Sequence, residues 1–321
     1  MHGNDTFSIA YGHADIRTHD PVTAHTLFQA ASTTKSFTAA PMSKLVYSNE
    51  SAYAEIDWTT KLADLIRDDF VLQDEYATNH ITLIDALSHR TGVPRHDLIW
   101  TNSDPTLKEM TRRFRYMPLS KELLTTWQYS NLMFSAVTLA LETLTGASVD
   151  TLLYDWIWKP LGMHEAFFNT AEALAFTEQS DDVNMARGYM YDKYTKAQVE
   201  VPYSDLPPAN GAGGVISNVL DYTHWIRMFL HPSNTSNPVS SEAIQIMTSA
   251  HMVMASGFRP STGAEFYGLG LMGSAYRGHE LLGHNGAVNG YMTSMMWIPE
   301  LDWGVVIMQN AYSLAAEIVL W

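Results

Sequence analysis

The patterning of the last third of the chain constrains the fold most. Between residues 268 and 309, four short runs read as strands: Gly268–Met272, Glu280–Leu282, Tyr291–Ile298 and Trp303–Gln309. Turns are expected at Gly283–Gly286 and Pro299–Asp302, where small and polar residues interrupt the runs. Residues 7–11 and 26–30 add extended pieces near the N-terminus. The middle is different. From about 55 to 165 apolar residues recur at helical spacing: Leu62, Leu65 and Ile66 share a face, as do Leu83, Ile84 and Leu87, and Leu132–Leu144 forms a long amphipathic stretch ending at Gly146. Residues 170–210 are polar, with Pro202, Pro207 and Pro208, and read as an irregular crossing segment. A turn at Gly211–Gly214 precedes a helix over about Asn218–Leu230, and a terminal helix is expected from Ala311 onward. Strand-rich ends enclosing a helical middle imply an α/β body that carries a helical insertion.

With 321 residues, the chain can bury a sizeable core. Its formal charge of −15 excludes a general nucleic-acid surface, which needs a basic face. There is no cysteine, so disulfides, thiolate metal sites and cysteine nucleophiles are excluded together. No basic, apolar leader opens the sequence and no run of about 18 apolar residues occurs, so neither a secretory signal nor a membrane span is expected. The expected setting is cytoplasmic, and the sequons at Asn4, Asn49 and Asn234 are read as incidental. The 13 histidines include no His-Glu-x-x-His or comparable cluster, so neither a metal nor another cofactor is expected.

The chemistry starts at Ala31-Ser32-Thr33-Thr34-Lys35. A serine at a helix start with a lysine at i+3 puts both side chains on one face, with Cβ atoms about 5–6 Å apart. Free N–H groups and the dipole at the helix N-terminus favour an oxyanion there, and a desolvated lysine can take the serine proton. The motif alone is chance-level, since Ser-x-x-Lys arises about once in a chain of this length. The helix continues to about Tyr47 with Pro41 inside it, where a kink is expected.

A second element, Tyr129-Ser130-Asn131, precedes the 132–144 helix. Tyr129 can serve as general base if the Lys35 ammonium lowers its pKa, and Asn131 can bond Lys35 and a substrate carbonyl; the plain alternative is a capped helix start. The look-alike Tyr47-Ser48-Asn49 lies on the nucleophile's own helix, about 22 Å away at 1.5 Å per residue, and is out of reach. The third element is Gly283-His284-Asn285-Gly286-Ala287, whose small residues allow close backbone approach, with the Ala287 N–H as a second oxyanion donor beside that of Ser32. Gly268-Leu-Gly-Leu-Met-Gly273 matches a dinucleotide fingerprint letter for letter but lacks the βαβ frame. Trp100, Tyr116 and Trp127 are candidates to line an apolar acyl pocket, although packing is the commoner role for such residues.

In this order and spacing the three elements resemble the class C β-lactamase-related serine hydrolases, whose pattern Ser-x-x-Lys, Tyr-x-Asn, Lys/His-x-Gly is matched by Ser32/Lys35, Tyr129/Asn131 and His284/Gly286. Thr26–Ser32, Leu87–Pro94, Pro160–Met163, Gly211–Gly214 and Tyr267–Gly270 extend the resemblance along nearly the whole chain. It implies an α+β, β-lactamase/D,D-peptidase-like fold: an antiparallel sheet flanked by helices (1–50 and 211–321), a mainly helical domain (51–210), and an active site at their junction. It further implies an acyl-enzyme on Ser32, with Lys35 and Tyr129 handling protons, Ser32 and Ala287 forming an oxyanion hole, and Asn131, His284 and Gly286 binding a small-molecule acyl substrate. Three features depart from the family: the chain starts partway into the first strand, Pro41 interrupts the nucleophile helix, and His284 stands where β-lactamases carry lysine. A histidine there is mostly uncharged near neutral pH and gives no firm hold on a carboxylate. The expectation is therefore hydrolysis or transfer of an ester or thioester, in a setting such as natural-product metabolism. An amidase or D-aminopeptidase activity, and a non-hydrolytic enzyme or binding protein using the same cleft, are the alternatives.

Overall fold

The computed structural model describes residues 1–100, 105–205, 207–255 and 263–312. The sheet that carries the site has six antiparallel strands, β7 (Met252–Met254), β8 (Glu265–Tyr267), β9 (Met272–Tyr276), β10 (His279–Val288), β11 (Tyr291–Ile298) and β12 (Trp303–Gln309), in the order β12-β11-β10-β9-β8-β7. Before it in the chain come a small hairpin, β1 (His13–Asp15) with β2 (Asp20–Pro21), and the pair β3 (Phe28–Gln29) with β6 (Ile216–Ser217). A three-stranded sheet joins β4 (Gly188–Asp192) and β5 (Ala197–Val201) to β13 (Ala311–Tyr312).

The nucleophile helix α1 (Thr34–Val46) follows a 3-10 turn at Ala31–Thr33 and runs through Pro41. The middle of the chain supplies α2 (Leu62–Leu65), α3 (Glu75–His80), α4 (Leu83–Leu87), α5 (Leu107–Arg112), α6 (Asn131–Thr145), α7 (Val149–Leu153) and α8 (Lys159–Leu161), with a π turn at Tyr154–Trp158. Gly146, in the left-handed region, ends α6 as expected of a glycine stop. Next come α9 (Thr170–Thr177), α10 (Asn210–Gly213), α11 (Val219–Leu230), which Asn218 caps through the amides of Leu220 and Asp221, and α12 (Ser241–Thr248). One apolar cluster runs from Leu62, Leu132 and Trp158 through Phe37 of α1 to Trp225 and Trp297, so α1 is buried on all sides between sheet and helices. Among the described residues no single helix is long and apolar enough to cross a membrane.

Six expectations meet a different structure. Residues 170–210 hold a helix and a hairpin rather than an irregular crossing: Asn169 caps α9, and β4 and β5 pair across a turn with Lys196 at positive φ. The Gly211–Gly214 stretch begins as a helical turn, because Gly211 has Thr138 of α6 where a Cβ would sit, and only glycine lets α10 wedge between α1 and α6. Gly268–Leu271 is a turn, with Gly270 at φ 68°, and the strand starts at Met272. Gly283–Gly286 is the reverse case, a continuous part of ten-residue β10. Of the expected terminal helix, Ala311–Tyr312 is a strand parallel to β4 and the rest lies outside the described residues. Residues 7–11 form no strand, and Phe7, Ile9 and Tyr11 are exposed.

Candidate active site

Short β3 pairs with β6, Ala30 donates its N–H to Val215, and Ala31 turns the chain through a left-handed residue (φ 50°) into the 3-10 turn bearing Ser32. Such a conformation in a non-glycine residue costs on the order of 1–3 kcal/mol and is held by surrounding contacts. The Thr33 hydroxyl donates to Ala30 O, the Thr34 hydroxyl accepts from the Val215 N–H, and Trp225 Nε1 donates to Ser36 Oγ. Ser32 itself remains half-buried and accessible.

Lys35 is fully buried. Its Nζ lies 3.2 Å from Ser32 Oγ, 2.7 Å from Asn131 Oδ1 and 2.8 Å from Ala212 O. All three partners are neutral, and burial pushes the amine well below the ordinary lysine range, helped by Arg95 and opposed by Asp97. As an ammonium Nζ donates to all three. As a neutral amine it donates two N–H bonds to the Asn131 and Ala212 carbonyls, which only accept, and its lone pair faces the Ser32 hydroxyl.

Tyr129 is hydrogen-bonded to Ser32, with Lys35 Nζ 4.7 Å from its ring centre and the Arg95 guanidinium 5.0 Å away. Desolvation raises its phenol above the ordinary tyrosine range. The same burial shifts Lys35 toward the neutral amine and Tyr129 toward the phenol.

Beyond Gly283, β10 has no ladder partner on the β9 side, and that edge packs against the nucleophile turn. A Cβ on Gly286 would lie 2.3 Å from Ala30 O and 2.9 Å from Ser32 N, so glycine is required for the approach. Ser32, Asn131, Ala212 and Ala287 line one cleft, together with Ala31, Ala209, Gly213 and Val288. His284 does not line it. The ring is buried: Nδ1 meets Asn285 O, and Nε2 lies 2.8 Å from the Tyr267 hydroxyl. A carbonyl can only accept, so Nδ1 carries the proton and the tyrosine donates to Nε2. Burial, with Lys35 nearby, holds this imidazole down to about 3, and its ring lies 6.4 Å from that of Tyr129. The decoys are also placed: Tyr47 caps the far end of α1, and Gly268, Gly270 and Gly273 each meet a separate close approach, to Met247 O, Lys35 O and the Phe266 ring.

Three residues escaped sequence reasoning. His89, buried at φ 59°, accepts the Ser130 N–H at Nδ1, and its ring lies 4.4 Å from that of Tyr129. Asp97 accepts from Asn131 Nδ2 and pairs with Arg95. The loop passes through left-handed residues at His89, Gly92 and His96, and side-chain spacing carries no sign of the two histidines' conformations. Of the proposed pocket aromatics, Tyr116 is exposed, Trp127 packs beside His89 and Tyr129, and the Trp100 side chain lies outside the described residues. Among the described residues no group of three or more histidine or acidic side chains could hold a metal ion.

The chain is similar to two fungal proteins, both named unguisins hydrolase. The first, from Aspergillus campestris (strain IBT 28561), is 36% identical over 96% of this chain and 57% of its own length. The second, from Aspergillus violaceofuscus (strain CBS 115571), is 36% identical over 95% of this chain and 56% of its own length. The chain thus spans little more than half of these relatives. Among solved structures, the octameric penicillin-binding protein homologue from Pyrococcus abyssi superposes with a TM-score of 0.78 at 26% identity, covering 93% of this chain and 65% of that one. A penicillin-binding protein from Bacillus halodurans gives 0.77 at 21% identity, over 100% and 94%. The fold is therefore that of the β-lactamases and penicillin-binding proteins. The Beta-lactamase family model matches residues 1–317, and the chain belongs to that family.

Proposed function

We propose that this chain is a hydrolase working through a Ser32 acyl-enzyme. The observation that carries the reading is Lys35 Nζ, buried among neutral acceptors and 3.2 Å from Ser32 Oγ. Lys35 takes the Ser32 proton as Oγ attacks the substrate carbonyl, and the Ser32 and Ala287 N–H groups receive the oxyanion. Tyr129, held as the phenol, protonates the leaving group and is reprotonated by the Lys35 ammonium. Water then repeats the sequence on the acyl-enzyme. Asn131 orients both the amine and the substrate carbonyl.

Hydrolysis is favoured over transfer by the hydrolase names of the two 36% identical relatives, and unguisins are therefore substrates to assay. An ester or thioester without an obligatory carboxylate fits the neutral, buried His284. A second reading, amide hydrolysis, is favoured by one observation: an amine leaving group needs a proton, and Tyr129 is placed to supply it. The test is turnover of a p-nitrophenyl ester, a p-nitroanilide and nitrocefin by wild type, Ser32→Ala and Lys35→Arg. Ester turnover above nitrocefin turnover is expected, falling by about 10²–10⁴-fold in Lys35→Arg, whose guanidinium cannot deprotonate. Fast nitrocefin with slow ester turnover overturns the substrate ranking, and activity retained in Ser32→Ala overturns the mechanism.

A further inference from the structure

Asn131 faces two different partners. Its Oδ1 lies 2.7 Å from Lys35 Nζ, and its Nδ2 lies 3.0 Å from Asp97 Oδ1. A side-chain amide has a donor end and an acceptor end of nearly the same shape, and nothing in its own packing decides which end meets the lysine. A carboxylate decides it, because it accepts only. We propose that Asp97 is a positioning residue that fixes the orientation of the Asn131 amide and, through it, the Lys35 amine that faces Ser32.

The loop is built for this. Asp97 Oδ2 is taken by Arg95, at 2.7 Å from both Nε and a terminal guanidinium nitrogen, which leaves Oδ1 for Asn131. His96 between them is left-handed (φ 48°), and across it Arg95 and Asp97 meet. The same guanidinium lies 5.0 Å from the Tyr129 ring centre, so the pair meets both Tyr129 and Asn131. Flipping the Asn131 amide would set its NH2 group against the N–H that Lys35 directs at it and its carbonyl against the Asp97 carboxylate. Two favourable contacts would become two repulsive ones.

The proposal rests on Ser32 being the nucleophile, and two measurements separate its failure from the failure of that reading. The first is the rate of Ser32 labelling by a fluorophosphonate in wild type, Asp97→Ala, Asn131→Ala and the double variant, with thermal melting to verify folding. Asp97→Ala is expected to slow labelling by ~10–100-fold, as small misplacements of catalytic groups do. In the Asn131→Ala background the same change is expected to slow it less than about twofold, because linked residues are not additive. An equal slowing in both backgrounds overturns the proposal. The second is independent of activity: the Asn131 side-chain NH2 signal in a ¹⁵N correlation spectrum, assigned by its loss in Asn131→Ala. It is expected to move upfield in Asp97→Ala, and an unmoved signal overturns the proposal even if no labelling occurs. Asp97→Ser, too short to reach Asn131, replaces the alanine variant if that one does not fold.

Discussion

At the scale of single residues, burial sets the protonation states on which the proposed chemistry depends. Lys35, His89 and His284 are all shifted toward the neutral form, and desolvation is the leading cause for each. A histidine held down to about 3 when folded, against about 6.5 when unfolded, binds fewer protons in the native state below pH 6.5. Its contribution to stability is complete above about pH 6.5 and declines as pH falls toward 3, by up to about 1.4 kcal/mol per unit. His89 acts in the same direction. His284→Asn is therefore expected to flatten the fall in urea-unfolding free energy between pH 7.5 and 5 without removing it; an unchanged slope would mean that His284 is not held neutral. The uncharged state of His284 was legible from its residue type at the family's lysine position. Its burial against Tyr267 was not, because no local pattern says which face of a strand a turn-like Gly-His-Asn-Gly run presents. For Tyr129 the proximity to a lysine was legible, but not the desolvation that shifts both groups toward their neutral forms.

At the scale of elements, the glycines explain both the successes and the errors of the sequence reading. Residues 291–298 and 303–309 are short, mostly apolar runs bounded by turn residues, and both strands lie where the pattern placed them. Gly283 and Gly286 suggested a turn, but each serves a close backbone approach inside β10, to Met295 O and to Ala30 O. Close approach and turning both call for glycine, and the sequence does not tell them apart. Gly270 combines the two. Its φ is 68°, and a Cβ there would lie 2.5 Å from Lys35 O. Gly270→Ala is expected to lose about 1–3 kcal/mol of stability through backbone strain and to slow fluorophosphonate labelling by displacing Lys35. Gly278→Ala is the control, since Gly278 also has a positive φ (89°) but nothing within 4 Å of an added Cβ. It should lose stability alone; equal labelling rates in the two variants would separate the 268–271 turn from the site.

At the scale of the molecule, the site exists only because distant segments converge on α1. The nucleophile comes from its start, Asn131 from the start of α6, Ala212 O from α10 and Ala287 from the open edge of β10. One buried cluster fixes these elements together, so no separate part holds the constellation. The order of the three motifs along the chain made the family legible before any coordinates, whereas the loop carrying Asp97 became visible only where the fold closes against α6. The central claim is that this convergence activates Ser32. Intact-mass spectrometry of the protein treated with a fluorophosphonate tests it most directly. A single adduct mapped to Ser32 in wild type and absent from Ser32→Ala is expected; an unmodified wild type, or an adduct that survives in Ser32→Ala, would contradict it.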